Sequence, residues 1–127
     1  MDYNYKQLGQ RYYPMIPLLL SNKDKTHETD ALIDSGSMLS LFRLEVAHQL
    51  GIDYKKGNPT RIRSVQGELL IYVHTLRLRI GENEFPFNVG FSEDFKPNLN
   101  LLGRTDFFEQ FKITFDEKNK KLSLESY

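Results

Sequence analysis

The sequence contains no cysteine. Disulfide staples, thiolate nucleophiles and cysteine-based zinc sites are excluded together, and the composition suits a reducing compartment. Net charge is also absent, because 17 lysines and arginines face 17 aspartates and glutamates. Such a balance lacks the footprint of a general nucleic-acid binder or a polybasic membrane binder. Long apolar runs are missing as well. The run Met15-Ile16-Pro17-Leu18-Leu19-Leu20 is short and broken by a proline, whereas a bilayer-spanning helix needs about 20 apolar residues. The start, Met1-Asp2-Tyr3-Asn4-Tyr5, is polar and carries no basic stretch leading into an apolar one. The expectation is a soluble, cytoplasmic protein with no membrane and no nucleic-acid partner.

What is present fits one domain. A chain of 127 residues can bury roughly two thirds of its unfolded surface, and 39% hydrophobic with 27% charged residues is a globular rather than a disordered composition. No repeat or linker divides it. The dominant pattern has period two. Leu18 to Leu20 reads as a strand, Ser21 to Lys25 as a polar turn, and Asp30-Ala31-Leu32-Ile33 as the returning strand. Met38 to Phe42 reads as a further extended stretch after Ser35-Gly36. One helix is expected over Arg43 to Leu50, with Leu44, Ala47 and Leu50 on one face and Gly51 at its C-terminus. Gly57-Asn58-Pro59 reads as loop. Leu76, Leu78 and Ile80 then alternate with Thr75, Arg77 and Arg79; a turn follows at Gly81-Glu82-Asn83, and Phe85, Phe87, Val89 and Phe91 alternate on the way back. A second short helix is expected around Asp106 to Phe111, capped by Thr105 or Asp106. The last hairpin sets Ile113 and Phe115 against Leu122 and Leu124 across Glu117-Lys118-Asn119. The pattern predicts a mainly β protein, a closed or partly open barrel with two short helices.

The candidate site is Asp34-Ser35-Gly36-Ser37. Taken alone, Asp-Ser-Gly is what an ordinary β-turn carries for local reasons. Its setting differs, because Ala31-Leu32-Ile33 precede it and Met38-Leu39 follow it. A charged carboxylate among apolar neighbours is costly to bury, and an active site is one reason to place it there.

Ala31-Leu32-Ile33-Asp34-Ser35-Gly36-Ser37, followed by Ser40, resembles the catalytic loop of retropepsin-like aspartic proteases. In those enzymes two apolar residues precede Asp-(Thr/Ser)-Gly-(Ala/Ser). Leu101-Leu102-Gly103-Arg104 leading into Thr105-Asp106-Phe107-Phe108 is similar to the second signature of the family, and Ser64-Val65-Gln66-Gly67-Glu68-Leu69 resembles its flap. The likeness covers about Tyr13 to Leu124. It implies a single retropepsin-like domain over 1–127, with residues 1–12 as an N-terminal extension and a core of about 13–124. The helix after the catalytic loop resembles cellular and prokaryotic-type members more than compact viral ones. By the resemblance, Asp34 is the catalytic carboxylate. Ser35 grips the partner chain's loop, Gly36 brings backbone close to substrate, and Ser37 hydrogen-bonds the Asp34 carboxylate. Gln66, Gly67 and Glu68 form the flap, with Gly67 at its tip. Leu102, Gly103 and Arg104 carry the second signature, Gly103 packing under the catalytic loop. Met38 stands where viral members commonly carry an aspartate that pairs with the arginine.

One catalytic loop per chain implies a homodimer, since aspartic protease chemistry needs two carboxylates sharing a proton. The function expected is therefore an aspartic endopeptidase acting on peptide or protein substrates, with no cofactor and no metal. The alternatives are a non-catalytic peptide-binding module and a dimeric scaffold on the same barrel. Elsewhere, His27, His48 and His74 show no metal-ligand spacing, and no Gly-x-Ser-x-Gly elbow supports a Ser-His-Asp triad. The phenylalanines at 85, 87, 91, 107, 108, 111 and 115 are expected to be core or pocket lining, and Arg61, Arg63, Arg77 and Arg79 a solvated basic strand face. Tyr3, Tyr5, Tyr12 and Tyr13 are expected to cover the barrel or a partner chain.

Overall fold

The computed structural model describes residues 1–64 and 67–127. The chain begins with three short strands, β1 (Asp2–Asn4), β2 (Lys6–Leu8) and β3 (Arg11–Tyr13). Two long strands come next, β4 (Met15–Asn22) and β5 (Lys25–Ile33), joined by a turn at Lys23-Asp24, and then the brief β6 (Ser40–Leu41). Helix α1 (Leu44–Gln49) leads through a 3-10 turn at Tyr54–Lys56 into β7 (Asn58–Ser64), β8 (Gly67–Ile80) and β9 (Asn83–Phe91). The chain ends with β10 (Asn100–Leu102), a distorted helical turn at Arg104–Phe108, and the hairpin β11 (Phe111–Asp116) and β12 (Lys121–Ser126).

Six strands close a barrel in the order β4-β5-β10-β6-β9-β8, and β8 pairs back onto β4. Alternation explains the closure. Leu76, Leu78 and Ile80 on β8 and Phe85, Phe87 and Val89 on β9 are buried, while Arg77 and Arg79 between them are exposed. A strand with one apolar face turns that face inward. The inward sets meet Ile16, Leu18 and Leu20 of β4 and Phe42, Val46 and Leu50 from α1 and its approach in one core. The helix ends as its sequence directs. Gly51 takes φ +65, its N–H donates to the His48 carbonyl at 3.1 Å, and Ile52 N–H donates to the Ala47 carbonyl at 2.9 Å. This paired closure satisfies carbonyls the last turn leaves open.

Two parallel pairings bring distant segments to one end of the barrel. β10 runs parallel to β5, with Leu101 opposite Leu32 and Leu102 opposite Ile33. β6 runs parallel to β9, with Ser40 opposite Val89. Asn100 knots this region from inside. Its buried amide donates to Thr29 Oγ1 at 3.1 Å and to the Asp30 carbonyl at 3.0 Å, and its oxygen accepts the Arg43 N–H at 2.9 Å. One side chain thereby joins β5, β10 and the entry to α1.

Several expectations are corrected. The extended stretch expected over Met38 to Phe42 shrinks to Ser40–Leu41, because Met38 turns outward and is 62% exposed. Asn58 and Pro59 are not loop but open β7, where Pro59 pairs with Tyr72 on an edge strand that tolerates a missing N–H. The short helix expected around Asp106 to Phe111 is present but distorted and shifted, its helical backbone running over 104–110 with Thr105 and Asp106 off helical φ/ψ. Asp106 adopts φ +69, and Phe111 already belongs to β11. Asp106 caps nothing at that turn; its carboxylate accepts the Asn88 N–H at 2.8 Å, tying the turn to β9. Phe115 is 41% exposed rather than core. Arg61 and Arg63 lie on β7 and Arg77 and Arg79 on the barrel end of β8, so the four do not share one face; Arg77 pairs with Glu84 at 2.9 Å. The N-terminal residues do not merely extend the core. β1 joins β12 and β11 in a three-stranded sheet, and Tyr5 sits in the core at 6% exposure. Among the described residues, no helix is long and apolar enough to cross a membrane.

Candidate active site

β5 and β10 end side by side, at Ile33 and Leu102. Asp34 comes directly after, and its N–H donates to the Leu102 carbonyl at 3.0 Å. The chain then reverses. Ser37 N–H donates to the Asp34 carbonyl at 3.2 Å, and Gly36 N–H donates to Asp34 Oδ1 at 2.9 Å. The turn that Asp, Ser and Gly favour locally therefore also orients the carboxylate. Asp34 is half-buried, and Ser35 and Gly36 are exposed.

The Gly103 segment runs beneath. Gly103 N–H donates to Ser40 Oγ at 2.9 Å, Arg104 N–H to the Ser37 carbonyl at 2.8 Å, and Thr105 N–H to the Met38 carbonyl at 2.8 Å. The approach is close enough to exclude a side chain. A Cβ at position 103 would fall 2.9 Å from the Ser37 carbonyl oxygen and 2.5 Å from the Leu39 carbonyl carbon, and nearer still to the Leu39 oxygen. Leu102 and Gly103 are buried, whereas Arg104 is exposed and its guanidinium reaches Met38 Sδ at 3.7 Å.

Above Asp34 lies a cleft of about 950 Å³. Asp34, Gly36, Ser37, Met38 and Leu39 form its floor; Ile62, Arg63 and Leu69 of the β7–β8 hairpin cover it. The loop after β9 forms a wall through Asp94, Phe95, Lys96 and Pro97, and Leu41 and Leu101 add to the lining. That loop is held from outside. The Tyr54 hydroxyl donates to Glu93 and Lys55 stands 3.6 Å from the same carboxylate. The hydrogen bond to Glu93 pushes the Tyr54 hydroxyl up to about 12, and in return holds Glu93 below its ordinary value. Arg43 Nη1 donates to Asn98 Oδ1 at 3.1 Å at the far end.

The structure thus brings together Asp34, Gly36, Ser37, Leu102 and Gly103. It does not give Ser37 the expected contact. Ser37 Oγ donates to the Leu39 carbonyl at 2.6 Å, because that acceptor lies two residues ahead and leaves the hydroxyl proton nothing for the carboxylate. The backbone N–H of Gly36 is the donor to Asp34 instead. Gly67 and Glu68 are exposed on the hairpin and do not line the cleft; Gln66 lies outside the described residues. His74 Nε2 bonds the Tyr54 carbonyl at 2.8 Å and its ring packs on Phe91, so it serves the fold. Sequence reasoning misses the wall at Asp94 to Pro97. The signal for it is an aromatic set between charged residues and a proline, Asp94-Phe95-Lys96-Pro97, in a segment without strand alternation.

The model of the aspartyl protease family matches residues 20–105. Among solved structures the chain is similar to a retropepsin-like aspartic protease from Rickettsia conorii, with a TM-score of 0.73 and 22% identity over 98% of this chain and 89% of that one. It is also similar to the EIAV protease in complex with the inhibitor HBY-793, with a TM-score of 0.60 and 16% identity over 82% of this chain and 93% of that one. No curated protein matches the sequence.

Proposed function

Since this chain belongs to the aspartyl protease family, we propose that it hydrolyses peptide bonds with two Asp34 carboxylates, one from each subunit of a homodimer. The observation that carries the reading is the placement of Asp34. It stands where β5 and β10 end, its Oδ1 is oriented by Gly36 N–H, and it faces a covered cleft large enough for an extended peptide. Among the described residues the other acidic side chain lining the cleft is Asp94, which is engaged by the backbone of Leu70 and is not paired with Asp34. A second carboxylate has to come from a second chain, and the exposed Ser35-Gly36 face of the loop is the surface on which it would arrive.

The chemistry rests on proximity. Two unit charges about 4 Å apart repel by about 4 kcal/mol at an effective dielectric of 20, which is roughly three pKa units. One proton is therefore shared by the pair, which titrates as a unit. The ionised carboxylate takes a proton from a water molecule. The water oxygen bonds to the scissile carbonyl carbon, and the protonated carboxylate gives its proton to the carbonyl oxygen. Collapse of the tetrahedral intermediate breaks the C–N bond, with a proton passing to the leaving nitrogen. Activity then needs one protonated and one ionised group, and its pH profile is bell-shaped.

A shared site makes activity depend on concentration. On dilution, specific activity should fall together with the dimer fraction measured by light scattering. A monomer with full specific activity would overturn the shared-site reading, because one carboxylate cannot be acid and base in the same step.

The hairpin supplies a second test. Gly67 opens β8 at φ +121, a conformation that L side chains rarely adopt. Valine there is expected to lower kcat/KM by roughly tenfold or more, out of proportion to the fall in Tm that strain at this φ brings, since β-branching disfavours that backbone region. Equal losses of stability and activity would assign Gly67 a structural role only.

A further inference from the structure

The β7–β8 hairpin leaves the barrel at a definite point. The last pair between β8 and β9 is Tyr72 with Phe91. Continuing that register would set Leu70 opposite Glu93, but β9 has ended and the chain has turned into the cleft wall. The two backbone groups of Leu70 are nevertheless bonded on that side. Its N–H donates to Asp94 Oδ2 at 3.1 Å, and its carbonyl accepts from Ser92 Oγ at 2.5 Å. Ser92 Oγ in turn accepts the Asp94 N–H at 3.0 Å. Side chains on either side of Glu93 thus replace the missing backbone rung, and Glu93 is left to anchor the loop on Tyr54 and Lys55. Beyond Leu70, among the described residues, the β7–β8 ladder continues from Leu69 opposite Ile62 to Gly67 opposite Ser64.

We propose that Ser92 and Asp94 form a side-chain rung that fixes the hinge of the hairpin at Leu70, and that both are positioning residues for the reaction in the cleft beneath. The loop that contributes Phe95 and Pro97 to the cleft wall also sets where its cover begins to move. Substrate must pass under Ile62, Arg63 and Leu69. A hinge held at Leu70 keeps the cover near its closed position before substrate arrives; a hinge released toward the barrel leaves only a fraction of molecules ready to bind.

The test compares Asp94→Ala, which removes the acceptor, with Asp94→Asn, which keeps an oxygen in place. Asp94 is exposed, so folding is not at stake; Ser92→Ala provides an independent second break. Amide exchange is read across 58–64 and 67–71, with β4 and β5 as the internal reference. Loss of one hydrogen bond at Leu70 alone would speed exchange only at Leu70. Release of the hinge is expected to speed exchange about tenfold across Ile62 and Leu69 as well, with β4 and β5 unchanged and Asp94→Asn near wild type. The kinetic arm rests on the peptidase reading and uses fluorescein-labelled denatured casein. Asp94→Ala should raise KM about tenfold with kcat within about twofold. Unaltered exchange in the hairpin, or an Asp94→Asn variant as defective as Asp94→Ala, overturns the hinge. A fall in kcat that tracks Tm overturns the positioning role. Absence of any casein hydrolysis by the wild type defeats the peptidase reading, and the exchange measurement still decides the hinge.

Discussion

Asp34→Asn is expected to remove peptide-bond hydrolysis while leaving the fold in place. The side-chain oxygen that accepts the Gly36 N–H at 2.9 Å persists in the amide, and the backbone bond from Asp34 N–H to the Leu102 carbonyl is untouched. The loop therefore keeps its shape, and Tm should move by no more than about 2 °C, the range expected when a surface group changes without loss of packing. The chemistry has no such substitute. An amide neither accepts the water proton nor shares one with its counterpart, so on the shared-site reading both copies of the group fail at once. General acid–base groups contribute about 10²- to 10⁴-fold each, and the loss should reach at least the upper end of that range. The measurement is turnover of labelled denatured casein from acidic to neutral pH, with circular dichroism as the folding control. Hydrolysis that survives the change in a chemically pure preparation would sink the role given to Asp34.

Gly103→Ala is expected to have the largest effect on stability. The requirement at 103 is space and not backbone freedom, since its φ is −98°. The added methyl would meet carbonyl groups of Leu39 and Ser37, which are backbone and cannot rotate away as a side chain can. Those carbonyls belong to the loop that carries Asp34, and the Ser37 carbonyl also accepts the Arg104 N–H. Overpacking in a fitted site costs about 1–3 kcal/mol and occasionally more. With backbone on both sides, the upper end applies, which is roughly a 10 °C fall in Tm for a domain of this size. Activity should fall with it, because accommodating the methyl displaces the loop that carries Asp34. A variant with unchanged Tm and activity would show that the loop and the Gly103 segment are not packed as described. The contrast with Gly67→Val is informative, since one glycine is required by contact and the other by φ.

Much of the barrel is written in the chain, because alternation is a local pattern with one structural meaning. Leu76 to Ile80 and Phe85 to Val89 fall inward as their period of two requires. Gly51 ends α1 for the reason a helix ends at glycine. The site is legible in a different way. Asp34-Ser35-Gly36 and Leu102-Gly103 are recognisable as motifs, and the space they need is set by each other, so both survive as sequence. What the chain hides is everything decided by a partner far along it. Ser37 has two acceptors within reach, and only the folded turn decides for the Leu39 carbonyl over the Asp34 carboxylate. Asp106 looks like a helix cap, yet its carboxylate is claimed by Asn88 of β9. Ser92 and Asp94 sit in a segment without alternation, and their bonds to Leu70 exist only because β9 stops one rung short. Phe115 has the composition of core, but the last hairpin folds with that residue facing out.

The three-residue strand β10 also orders events in time. It completes the ring by lying between β5 and β6, and Asn100 bonds the Asp30 carbonyl across a separation of 70 residues. Contacts so distant carry a loop-closure cost before they return any stabilisation, and chains rich in them fold slowly. Until β10 arrives, Asp34 has no Leu102 carbonyl to bond and its turn has no Gly103 segment beneath it. A chain still emerging from the ribosome, or one caught half-assembled, consequently possesses the aspartate without the geometry. Completion of the fold therefore precedes any assembly of a shared site, and an immature copy cannot contribute its half of one.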